Sequence, residues 1–125
     1  LIARERARGV AARAIVLAGF SQGGAMALQA GLRHSERLAG ILALSAYLPL
    51  PDTVANEAHA ANRDVPIVMS HGIQDPVIPL SWAKRSRDHL VALGYAVDWR
   101  EYPMPHSVCA EEIEDVGRWL RTVLR

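Results

Sequence analysis

Residues 14–32 read Ala-Ile-Val-Leu-Ala-Gly-Phe-Ser-Gln-Gly-Gly-Ala-Met-Ala-Leu-Gln-Ala-Gly-Leu. An apolar run, Ala14–Phe20, leads into one hydroxyl set among glycines: Gly19, Ser21, Gly23 and Gly24. An Ala-rich stretch, Gln22–Arg33, follows. A continuous apolar run bounded by glycine reads as a strand buried on both faces, and the Ala/Gly-rich stretch as a helix packed closely on it. The strand therefore hands over directly to a helix, with Ser21 at the junction.

Three further apolar segments extend this pattern. Leu38–Ser45 is again continuous, and Val65–His71 carries Pro66 near its start, where proline is tolerated. Tyr95–Tyr102 alternates, with Val97, Trp99 and Glu101 on one side. Leu80–Leu93 reads as an amphipathic helix through Ala83, Leu90 and Leu93, stopped by Gly94. Ser107–Leu124 reads as a last helix with Ile113, Val116, Leu120 and Leu124 on one stripe. Its acids (Glu111, Glu112, Glu114, Asp115) come first and its arginines (Arg118, Arg121, Arg125) last, so the charges oppose the helix dipole at both ends. Leu48 to Val65 is a Pro-rich connection in which Asp52 is expected to cap a short helix reaching about Ala61. The alternation predicts an α/β fold of about four mainly parallel strands with flanking helices.

Composition excludes several classes. The chain has 125 residues, 50% hydrophobic, with a net charge of +1, which suits a folded domain and leaves no basic surface for nucleic acid. Thirteen of its fourteen cations are Arg, scattered or interleaved with acids. The single Cys109 excludes an internal disulfide and fits a reducing, cytoplasmic compartment. No apolar run approaches the roughly 18 residues of a membrane span. The first residue is Leu1, and Leu1–Gly9 reads as the end of a helix closed by a glycine, so the N-terminus proper and any targeting signal are expected upstream.

In sheets of this kind ligands sit at the carboxyl ends of strands. Three polar residues fall there: Ser21 after the first strand, Asp75 after the third, and His106 after the fourth. A serine hydroxyl is a weak nucleophile until a base takes its proton. An imidazole does this near neutral pH, and a buried carboxylate on the other ring nitrogen fixes its tautomer. Gly19 and Gly23 are read as the small residues that a strained strand-to-helix elbow demands, and the Gln22 backbone N–H as an oxyanion donor. Cys109 as a nucleophile and His71 as a rival base are weaker readings, since the first reads as a thiol in packing and the second as a backbone hydrogen-bonder. His34, His59 and His89 lack ligand spacing, so no metal is expected.

Gly19-Phe20-Ser21-Gln22-Gly23-Gly24, His71-Gly72-x-x-Asp75-x-Val77-x-Pro79 and Tyr102-Pro103-Met104-x-His106 together resemble the phospholipase/carboxylesterase family of α/β-hydrolases, which includes bacterial carboxylesterases and acyl-protein thioesterases. Leu44-Ser45-Ala46-Tyr47-Leu48-Pro49 is similar to a further family segment. The resemblance implies Ser21 as nucleophile, Asp75 as acid, His106 as base, and cleavage of small carboxylic esters through an acyl-enzyme, with no cofactor. Lysophospholipase or acyl-protein thioesterase activity on the same residues is the alternative within enzymes. Gln74, Leu48 and Met104 are candidate pocket residues, and Leu48, Leu50 and Val54 a candidate acyl wall.

Members of that family are about twice this length. Residues 1–125 would form the C-terminal half of the α/β-hydrolase fold. The half supplying a second oxyanion donor would be absent, and the Ala14–Phe20 strand would be left as an edge. A second chain or a homo-oligomer would then cover that edge. The remaining alternative is a non-catalytic fragment that keeps the three residues only by inheritance.

Overall fold

The computed structural model describes residues 1–125. Nine regular elements follow the order expected from the sequence: α1 (Ile2–Ala7), β1 (Val16–Phe20), α2 (Gln22–Arg33), β2 (Gly40–Leu44), α3 (Val54–Glu57), β3 (Ile67–Gly72), α4 (Leu80–Ala92), β4 (Val97–Tyr102) and α5 (Ala110–Val123). Each strand begins two residues later than its apolar run. The strands form one parallel sheet in the order β1-β2-β3-β4. No helix is long and apolar enough to cross a membrane.

Every connection steps to the next strand. Right-handed crossovers therefore place α2, α3 and α4 on one face. Leu28, Leu32, Val54 and Leu90 meet Ile41, Ala43, Ile67 and Met69 there in one buried cluster. The chain leaves β4 for the other face, where α5 lies. There Trp119 covers Gly40, at which any Cβ would stand 2.6 Å from the indole, and Glu112 meets Ser70.

Three expectations need correction. First, Ile113 and Leu124 are exposed, while Glu112 is fully buried. The sheet-facing stripe of α5 is Glu112, Val116, Trp119 and Val123, about one residue off the all-apolar stripe. The bulk of Trp119 over Gly40 sets that rotation, and Ser70 gives Glu112 a polar partner inside. Second, Asp52 caps nothing. It lies within a 3₁₀ turn, Pro51–Thr53, before α3, and a second such turn, Ala60–Asn62, is capped by the His59 ring. The Thr53 hydroxyl donates to the Leu50 carbonyl instead. Third, β1, read as buried on both faces, is only partly buried, unlike β2 and β3, while its place at the edge of the sheet is the one expected. A groove of about 650 Å³ runs along it, lined by Leu17, Ala18, Met26, Ala27 and Ala30 together with the start of the chain.

Candidate active site

Parallel strands all end on the same edge of the sheet, and that edge gathers the three polar residues. Ser21 sits between β1 and α2 with φ 57° and ψ −121°, a backbone state costly for a side-chain-bearing residue. Its N–H donates to the Leu44 carbonyl at 2.8 Å, which pins the elbow to β2. Its Oγ lies 2.9 Å from His106 Nε2. His106 Nδ1 lies 2.7 Å from Asp75 Oδ2. The other Asp75 oxygen, Oδ1, accepts the Val77 and Ile78 N–H groups at 2.8 and 2.9 Å. Burial alone would raise the Asp75 pKa, but the Ile78 N–H, the His106 side chain and the Val77 N–H together hold it below the usual carboxylate range. With the carboxylate ionised, His106 carries its proton on Nδ1 and presents Nε2 as acceptor to the serine hydroxyl. The Phe20 ring lies 4.9 Å from the imidazole, tilted across it.

The glycines divide differently from the sequence expectation. A Cβ on Gly19 would stand 2.1 Å from the Gly23 carbonyl carbon, so this position admits no side chain. A Cβ on Gly24 would stand 2.7 Å from Ala46 Cβ and 2.9 Å from the Gly19 oxygen. A Cβ on Gly23 meets nothing within 4 Å, so Gly23 is not enforced by a clash within this chain. The close approach of α2 to β2 falls on Gly24, and Gly23 faces the unpaired side of β1. Gly19→Ala and Gly24→Ala are expected to lower thermal stability of the chain by several degrees or abolish folding, and Gly23→Ala to leave it within about 1 kcal/mol. Melting curves of the three variants check this.

The Gln22 N–H belongs to the first turn of α2, where backbone donors have no intrahelical partner and the helix dipole favours an anion. The candidate pocket residues separate. Gln74 is exposed, and its N–H donates to the Met104 carbonyl. Met104 is buried beneath the His106 loop and lines none of the described cavities. Leu48 lines a cleft of about 590 Å³ with Tyr47, Trp82, Arg85 and His89. Of the other proposed wall residues, Val54 is in the core and Leu50 is 64% exposed. Cys109 is the N-cap residue of α5. Sequence reasoning missed two buried groups beneath the site. Ser45 has φ 52° and its hydroxyl lies 3.4 Å from the Ser107 carbonyl, and the Ser70 hydroxyl donates to Glu112 at 2.5 Å. Nothing in a local pattern distinguishes such serines from ordinary strand residues.

Known proteins resemble this chain in sequence and fold. Acyl-protein thioesterase 1 of Gibberella zeae is 46% identical over 127 residues, covering 99% of this chain and 54% of the relative. The protein of the same name from Yarrowia lipolytica is 40% identical, covering 96% and 54%. The chain thus spans about half the length of the curated relatives it matches. Among solved structures, Arabidopsis thaliana SOBER1 superposes with a TM-score of 0.94 at 26% identity, covering 99% of this chain and 60% of that one. Esterase PE8 superposes at 0.90 with 29% identity, covering 98% and 56%. The phospholipase/carboxylesterase family model matches residues 1–124, end to end through the elbow, the Asp75 loop and the His106 loop, and the chain belongs to that family.

Proposed function

We propose that this chain carries the nucleophile, acid and base of a serine hydrolase that cleaves carboxylic esters. The observation that carries the reading is the continuous hydrogen-bonded line from Ser21 Oγ through His106 to Asp75, at 2.9 and 2.7 Å. His106 Nε2 takes the Ser21 proton as Oγ attacks the acyl carbonyl. The oxyanion that forms meets the Gln22 N–H at the head of α2. Collapse expels the alcohol, which takes the proton back from His106 and leaves an acyl-Ser21 ester. Water, deprotonated by the same imidazole, then releases the acid. Ser21, Asp75 and His106 themselves supply the nucleophile, the charge and the proton transfers, so the mechanism calls on no cofactor.

Two of the relatives are named as acyl-protein thioesterases, which favours thioesters of acylated proteins as a second substrate class on the same three residues. The lone Cys109 fits a cytoplasmic setting for either.

The groove beside β1 and the chain's coverage of about half of each relative support one further element of this reading. A preceding half of the family domain pairs with β1 and supplies the second oxyanion donor. Activity is tested on the intact protein against p-nitrophenyl esters of increasing chain length and an S-palmitoyl peptide. Turnover of esters is expected, with the isolated 125-residue chain slower by about 100- to 1000-fold for want of one donor. Absence of turnover on every substrate by the intact protein, with no fluorophosphonate label on Ser21, overturns the proposal in favour of a non-catalytic chain. Equal rates for the chain and the intact protein overturn the missing-donor element alone.

A further inference from the structure

We propose that His71 is a positioning residue that holds the Asp75–Ile78 turn, and through that turn the Asp75 carboxylate. The inference rests on the reading of Ser21, His106 and Asp75 as the catalytic residues. His71 lies near the end of β3, and its side chain is 1% exposed. Its Nε2 stands 2.7 Å from the Ile78 carbonyl oxygen and 3.3 Å from Asp75 Oδ2. Both atoms are acceptors, so Nε2 carries the proton and donates it to the nearer one, the Ile78 carbonyl. The remaining nitrogen, Nδ1, is buried with no partner. All of this ring's hydrogen bonding therefore goes to the Asp75–Ile78 loop.

The loop between Asp75 and Ile78 is what gives His71 a task. Val77 and Ile78 N–H groups hold Asp75 Oδ1, and His106 meets Oδ2. The Ile78 N–H reaches Oδ1 only if this turn keeps its shape, and the His71 ring fixes the far end of the turn through the Ile78 carbonyl. One imidazole thus sets the backbone that grips the carboxylate, with its Nε2 3.3 Å from Oδ2 beside it. Gly72, directly after His71, lets the His106 loop press against this point: a Cβ there would stand 2.3 Å from the Met104 and Pro105 oxygens. An apolar side chain would fill the same space without the desolvation cost of an imidazole. The polar ring stands where its single donor meets the Ile78 carbonyl of the loop that carries the acid.

The test uses the intact protein with His71→Met, which keeps bulk and loses the donor, and His71→Gln, which keeps an N–H donor for the Ile78 carbonyl. His71→Met is expected to lower kcat on a short p-nitrophenyl ester about 3- to 10-fold, the range carried by one hydrogen bond to a backbone carbonyl, with KM within about twofold. His71→Gln is expected to recover most of the loss. Equal losses in both variants, tracking their melting temperatures, overturn the inference, as does wild-type kcat in a folded His71→Met. An independent check needs no variant: ¹⁵N-histidine NMR of the intact protein is expected to show a proton on His71 Nε2. A ring with its only proton on Nδ1 overturns it. Fluorophosphonate labelling of Ser21 separates the two levels. If Ser21 in the unmodified protein does not label, the underlying catalytic reading fails. If it labels and His71→Met labels at the same rate, only the role of His71 fails.

Discussion

Ser21→Ala is expected to abolish ester turnover by the intact protein, with kcat falling roughly 10⁶-fold, and to eliminate fluorophosphonate labelling. The reason is specific to the elbow. Ser21 is the only hydroxyl on the line to His106 Nε2, at 2.9 Å, and its backbone sits at a φ of 57° that lifts Oγ clear of the sheet edge. No neighbouring group can take its place: Cys109 caps α5 beyond the His106 loop, and Ser45 is fully buried against the Ser107 carbonyl. His106→Ala removes the proton acceptor for the same step and is expected to cost about as much. Because the two act as one unit, the double variant should lose no more than either single one. Summed losses in the double variant, or measurable burst kinetics in Ser21→Ala, would show that another nucleophile carries the reaction. Melting temperatures measured beside the rates confirm that the fold is unchanged, as expected for one small surface-edge substitution.

The second large effect is expected at Asp75→Asn, with kcat down about 10⁴-fold and KM little changed. The substitution is nearly isosteric, and a carbonyl oxygen can still accept the Val77 and Ile78 N–H groups. The amide NH₂ would then face His106 Nδ1, which accepts, so the ring takes its proton on Nε2 and cannot remove that of Ser21. Rates against short esters, with a melting curve for the folded fraction, read this directly.

The same carboxylate carries a pH signature in stability. Its folded pKa lies below the ordinary value, so the unfolded chain binds the proton more readily. Its contribution is therefore present above the usual carboxylate range and is lost as pH falls through the folded value. Asp75→Asn should flatten that acid limb of the melting temperature. An acid limb that is unchanged would place the stabilising carboxylate elsewhere.

Much of this was legible in local sequence. The four apolar runs and the helices between them follow from side-chain period and glycine punctuation, and strands with purely forward connections pair in parallel. That alone carries Ser21, Asp75 and His106 to one sheet edge, 85 and 31 residues apart in their contacts with His106. Where the reading slipped, the cause was a partner that sequence does not name. The buried stripe of α5 looked apolar, yet it turns inward on Glu112 because Trp119 must cover Gly40 and Ser70 supplies a hydrogen bond. Asp52 had a capping side chain but no helix beginning at the right offset.

What the sequence by itself determined is the alternation of strand and helix, the placement of a hydroxyl, a carboxylate and an imidazole at strand ends, and membership of a family whose motifs are short and local. Those properties depend on backbone preferences and side-chain chemistry within a few residues. Only the tertiary structure decided which glycine is sterically enforced, since Gly24 rather than Gly23 meets a neighbouring strand. It alone set the 2.7 and 2.9 Å spacing of the three side chains, and it alone brought His71 behind Asp75. Those are relations between segments distant in the chain, fixed by how closely helices and strands pack, and no local pattern encodes a distance.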